Sequence, residues 1–289
     1  MMTEQTIWLA LTTLIAATVN GALGYGFSSI TVPIALLFLT NRVLNPALVP
    51  IEVVLNAYVL WHNRDAFSGV WRRALPVVIG LVPGIIIGTT LVAHVSSGWL
   101  RFVTYVALLP LILLQAGGYR RPIQSERSAG LAFGGGLGVL YSVTTISGPP
   151  LAVMLSNQGL TKKDFRAALG LIRLAESSMT AMAYGYAGLF NLSSMALIPW
   201  IVPSIMAGVP IGGFLIRRIQ PDTFRRVCMS FDAWIVAFGL SRLLKELHLV
   251  PSDAAYLLLA GIILIDGVML YRFFARARAA ALAATGTLV

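Results

Sequence analysis

Asn20-Gly21-Ala22-Leu23-Gly24-Tyr25-Gly26-Phe27-Ser28-Ser29-Ile30-Thr31-Val32-Pro33 decides the fold: glycines give way to hydroxyls and then to a proline. Apolar sequence flanks it at 7–19 and 30–39. Glycine releases a chain from helical geometry and proline suits a helix's first turn. The stretch therefore predicts a helix that stops, breaks and restarts inside apolar sequence. The same order of parts returns later, in Gly134-Gly135-Gly136-Leu137-Gly138 followed by Ser142, Thr144, Thr145, Ser147, Gly148, Pro149 and Pro150.

Around the breaks the chain is hydrophobic throughout. Of its 289 residues 57% are hydrophobic and 11% charged, and the mean hydropathy is +0.83; a soluble chain carries about 25% charged residues. Apolar runs at 47–61, 74–95, 100–116, 131–143, 150–155, 165–190, 195–216, 227–244 and 254–274 follow one another across short joints. Most approach the roughly 20 residues that span a bilayer as a helix. The lone Cys228 and the dispersed His62, His94 and His248 form no metal motif, so neither metal nor cofactor is expected. Net charge is +10, but the Lys and Arg residues sit at the ends of apolar runs and form no nucleic-acid-binding stripe. The run 7–19 lacks a basic leader and reads as a retained first helix.

The halves resemble each other. Gly84-x-x-x-Gly88 with Leu91, Val92, His94 and Arg101 aligns with Gly208-x-x-x-Gly212 with Leu215, Ile216, Arg218 and Arg225, and the two breaks align upstream. The expected fold is an all-α polytopic transmembrane bundle of two repeats, 1–118 and 128–246, each holding a short Gly/Ser/Pro-interrupted helix, with an extra C-terminal helix and tail over 254–289. Basic joints at Arg64/Arg72/Arg73, Arg120/Arg121/Arg127, Lys162/Lys163/Arg166 and Arg217/Arg218/Arg225/Arg226 belong to the cytoplasm, while the uncharged joint 191–194 lies outside. This sets the N-terminus in the periplasm and the C-terminus in the cytoplasm. An odd number of passes per half makes the repeats inverted, a plan common among secondary transporters.

Interrupted helices at membrane depth line wet cavities or are buried in protein. Their N-termini carry about half a positive charge. The two breaks therefore predict an anion site built from Asn20, Gly24, Tyr25, Ser28, Ser29, Thr31, Thr144, Thr145, Ser147 and Gly148. The plainer alternative is that glycines and hydroxyls only let helices pack closely, which is the reading given to the Gly84/Gly88 and Gly208/Gly212 motifs. Charges inside spans are costly and signal function. Arg173 reads as an anion contact, and Glu52 and Glu176 read as proton-coupling carboxylates. Arg173 and Glu176, three apart, share a helical face and can also form a purely structural pair; the repeat alignment sets Glu176 opposite Asn56. Asp232 and Asp266 are expected to pair with Arg226 or Arg272. Walker, His-Glu-x-x-His and Gly-x-Ser-x-Gly motifs are absent, so no enzyme activity and no ATP-driven transport is expected.

On the run Gly24-Tyr25-Gly26-Phe27-Ser28-Ser29-Ile30-x-Val32-Pro33, its counterpart with Gly148-Pro149-Pro150, and the duplicated architecture, the sequence resembles the TauE/SafE family of sulfite and organosulfonate exporters, also called TSUP. The resemblance implies membrane passage of small sulfur-containing anions such as sulfite or C2/C3 organosulfonates; with the absent ATP site and the carboxylates Glu52 and Glu176, the expected function is their secondary, proton-coupled export across the bacterial inner membrane. The family's Gly-Thr-Ser element is replaced here by Pro50-Ile51-Glu52 and Ala168-Leu169-Gly170. The expected partners are a small sulfonate or sulfite anion, protons, the lipid bilayer and, as the one protein partner kept open, a second copy in a homodimer. A passive anion channel is the rival reading, with a membrane-embedded enzyme and a scaffold subunit behind it.

Overall fold

A computed structural model describes residues 2–23, 26–117, 126–156, 160–216, 218, 221–250 and 252–286. Gly24, Tyr25, Arg120, Arg121 and Arg217 lie outside the described residues. Within them the chain is almost wholly helical, without a strand. Six segments are long and apolar enough to cross a membrane.

The first half comprises α1 (Met2–Leu23), α2 (Phe27–Ala35), α3 (Asn41–His62), α4 (Phe67–His94) and α5 (Ser97–Ala116). The second comprises α6 (Glu126–Thr144), α7 (Gly148–Ser156), α8 (Lys162–Tyr186), the single turn α9 (Leu192–Met195), α10 (Ile198–Leu215) and α11 (Pro221–Glu246). Beyond them lies α12 (Leu257–Gly286). The apolar run expected as one helix over 195–216 is divided, because the Asn191 side chain accepts from the Ser194 amide and caps a separate turn.

Glycine contacts fix how the helices pair. Gly80 abuts Leu131, Gly84 abuts Gly135 and Gly88 abuts Ser142, so residue numbers climb together and α4 runs parallel to α6. Gly208 meets Ala17 and Gly212 meets Thr18, while Ser204 Oγ donates to the Ala10 carbonyl at 3.0 Å; α1 is parallel to α10. Each glycine motif thus seats the first helix of the other half. By contrast Leu60 lies beside Gly170, Asn56 beside Arg173 and Val49 near Tyr184, which makes α3 and α8 antiparallel. Gly98 beside Leu247, Arg101 beside Glu246 and Tyr105 beside Gly239 make α5 and α11 antiparallel too.

Both short helices turn back. Ser28 stands level with Glu52, eleven residues into α3, whereas the Pro33 carbonyl accepts from Tyr105 (2.8 Å) and Asn41, at the start of α3, donates to Thr104 (3.1 Å). α2 therefore runs from mid-bundle to the end where α3 begins. Likewise Ser147 stands level with Glu176, fourteen residues into α8, and α7 leads back to the start of α8.

Lipid would cover the outside. Trp8, Trp61, Trp71, Trp99, Trp200 and Trp234 are all exposed. α12 packs on α11, where buried Arg226 donates to Asp266 at 2.7 Å. Of the two partners considered for Asp266, Arg226 is the one it takes.

Candidate functional site

The first break needs a backbone turn that few residues accept. Gly26 sits at φ 106°, a left-handed value suited to glycine, and its carbonyl accepts from the Ile30 amide at 3.2 Å. The second break uses Thr145 at φ 55°, where a β-branched residue is strained. Hydroxyls hold that strain locally: Thr144 Oγ1 donates to the Leu140 carbonyl (2.7 Å) and accepts from the Ile146 amide (3.0 Å), and Thr145 Oγ1 donates to the Thr144 carbonyl (2.7 Å). Thr144 and Thr145, expected as ligand contacts, shape the break in this conformation. The carbonyls that the break frees are also satisfied. Asn41 and Asn45 both donate to the Val143 carbonyl, at 3.0 and 2.7 Å, and Tyr184 donates to that of Ser142.

Each break delivers one serine to a buried carboxylate. Ser28 donates to Glu52 and Ser147 donates to Glu176, and all four residues are buried. Glu52 takes two further donors: the Tyr141 hydroxyl at 2.7 Å, and the Arg173 guanidinium at 3.2 Å. Arg173 therefore pairs across the bundle with α3. The expected contact with Glu176 on its own helix is not the one formed, because the antiparallel crossing of α3 and α8 brings Glu52 to the guanidinium. Glu52 and Glu176 each accept from the serine of one break. Asn56 donates to the Arg173 carbonyl at 3.4 Å.

Several buried polar atoms around this cluster have no partner among the described residues: Glu176 Oε1, Arg173 Nε, Thr31 Oγ1 and Thr180 Oγ1. An unpaired buried polar group costs about 1–3 kcal/mol, so the cluster has unmet hydrogen-bonding capacity that a water or a polar guest would satisfy. Ser29 lines a cavity of about 10 Å³ with Leu108, Leu111, Ile112, Ile146 and Pro150, so the two breaks share one space, large enough for roughly one water. Asn20 is half-buried on the last turn of α1, and Gly148 opens α7. A wider groove of about 430 Å³ lies between α3, α4 and α8, lined by Ala57, Leu60, Trp61, Arg64, Phe67 and Leu174. Ala57 and Leu174 adjoin Asn56 and Arg173 in sequence.

Tyr141 is the site residue that sequence reasoning missed. A tyrosine in an apolar helix reads as core, and the one signal was its hydroxyl, which needs a partner when buried.

A multi-pass helical bundle whose two interrupted helices converge on a buried, charged, hydroxyl-rich cluster is built as a membrane transporter. A family model described as sulfite exporter TauE/SafE matches residues 9–240, and the chain belongs to that family of transporters. It is similar to the probable sulfite/organosulfonate exporter TauE of Cupriavidus necator, 23% identical over 184 residues that cover 61% of this chain and 70% of the relative. No solved structure matches.

Proposed function

We propose that this chain is a proton-coupled secondary exporter of small sulfur-containing anions, sulfite or C2/C3 organosulfonates, in the bacterial inner membrane. The observation that carries the proposal is the pairing of each break with a buried carboxylate, Ser28 with Glu52 and Ser147 with Glu176, around one guanidinium, Arg173. A sulfonate or sulfite presents three oxygens to the donors of this region: the guanidinium, hydroxyls and the amide-rich starts of α2 and α7. Glu52 occupies Arg173 in this structure, so an entering anion competes with a built-in carboxylate and the site alternates between the two. The printed name of the Cupriavidus relative, a probable sulfite/organosulfonate exporter, supports the substrate class.

The halves act as inverted repeats that rock against each other. This reading is supported by the antiparallel course of the equivalent helices α3 and α8, and of α5 and α11, and by the reciprocal seating of α1 on α10 and α6 on α4. With α2 and α7 turning back, each half crosses three times, so the parity that inversion requires is kept. Lys163 lies 3.0 Å from Asp65, so the joints after α3 and α7 share one end, and their basic residues support reading it as the cytoplasmic end, with the groove beside Trp61 and Arg64 as the inner approach. At the other end Arg101 and Lys245 are matched by Glu246 and Asp253, and Arg42 donates to the carbonyls of Val92, Ala93 and Val95.

The test is flux in liposomes holding only the purified protein. Expected are counterflow of sulfite and sulfoacetate and their accumulation under an imposed pH gradient, with little movement of acetate. Passive flux that never concentrates would identify a channel, and transport of carboxylates alone would overturn the substrate class.

A further inference from the structure

The two carboxylates of the cluster are bonded unequally, and the inequality assigns them different tasks. Among the described residues Glu52 receives three donors, Ser28, Tyr141 and the cationic Arg173, whereas Glu176 receives only the neutral Ser147 hydroxyl and its Oε1 has no partner. The titratable and charged groups that face Glu176 are Glu52 from α3, Tyr141 from α6 and Arg173 from its own helix. α7 has no ionisable residue, and those of α4 (Arg72, Arg73 and His94) lie toward its ends.

With both carboxylates ionised, the two of them and one guanidinium leave an uncompensated negative charge inside the bilayer, a condition that costs several kcal/mol. One proton removes it. Glu52 already pairs with the cation Arg173, so the proton belongs to the carboxylate that lacks a cationic partner.

We infer that Glu176 carries the transported proton on its otherwise partnerless oxygen, while Glu52 serves as the carboxylate partner of Arg173. The inference rests on the proton-coupled reading above and deepens it. Protonated Glu176 is an O–H donor, whereas a deprotonated one would add a second negative charge to the cluster.

Two measurements test this. In liposomes, Glu176→Gln keeps a donor and a neutral group, so anion counterflow persists while accumulation driven by a pH gradient is lost. In infrared spectra of the purified protein, a carbonyl stretch of a protonated carboxyl group present in wild type is absent in Glu176→Gln, shifted in Ser147→Ala and unshifted in Ser28→Ala. The serine variants decide the assignment if the glutamine variant does not fold. A band shifted by Ser28→Ala would overturn the inference, as would accumulation by Glu176→Gln under a pH gradient. Failure of wild type to accumulate substrate under that gradient would instead remove the coupled reading, and the infrared assignment would still decide which carboxyl holds the proton.

Discussion

Arg173 on α8 places its guanidinium 3.2 Å from Glu52 on α3, a contact between residues 121 positions apart that ties the two halves together at mid-bundle. Removing one member of such a buried pair leaves a naked charge and costs about 3–5 kcal/mol. Arg173→Met is therefore expected to lower the melting temperature markedly and abolish transport. Glu52→Gln/Arg173→Met should recover most of the melting temperature without recovering flux, a combination read by fluorescence-detected melting beside a liposome assay.

Close helix approach is predicted to depend on particular glycines. A Cβ at Gly84 would overlap the Gly135 carbonyl oxygen and one at Gly212 would overlap that of Thr18, whereas Gly136 and Gly213 have open space around them. Overpacking costs about 1–3 kcal/mol. Gly84→Ala and Gly212→Ala should each lower the yield of monodisperse protein and its melting temperature, while Gly136→Ala and Gly213→Ala match wild type.

Backbone strain predicts opposite behaviour at the two breaks. Gly26 holds φ 106°, and Gly26→Ala forces a side chain into a left-handed conformation at a cost of about 1–2 kcal/mol. Thr145 already bears such strain at φ 55°. Thr145→Gly relieves it while losing one hydroxyl bond, so its melting temperature should stay near that of wild type. A large fall for Thr145→Gly would show that the hydroxyl network outweighs the strain.

The last helix is predicted to be a stability element separate from the transport cluster. Arg226 and Asp266 form a buried pair between α11 and α12, and the family match ends at residue 240, before α12 begins. Asp266→Asn should lower the melting temperature yet leave the substrate dependence of counterflow unchanged. A changed substrate dependence would place α12 in the transport cycle.

Periodicity and glycine spacing revealed what depends on neighbours in the chain: the interrupted helices, the close-packing motifs and Glu52, Arg173 and Glu176 as the buried charges. They could not reveal partners set by how helices cross. Arg173 and Glu176, three apart, looked like the natural pair, but the antiparallel meeting of α3 with α8 brings Glu52 to the guanidinium. Tyr141 stayed hidden for the same reason, since nothing near it in sequence shows that α6 turns its hydroxyl toward α3.

α8 has a practical bearing on mapping experiments. It is absent from the six segments that pass as membrane spans by length and hydropathy, because the polar groups it presents to the interior dilute its hydropathy. A reporter-fusion map planned from hydropathy alone would skip this helix and assign every later loop to the wrong compartment. Fusions placed just before Lys162 and just after Tyr186 would expose the error at once.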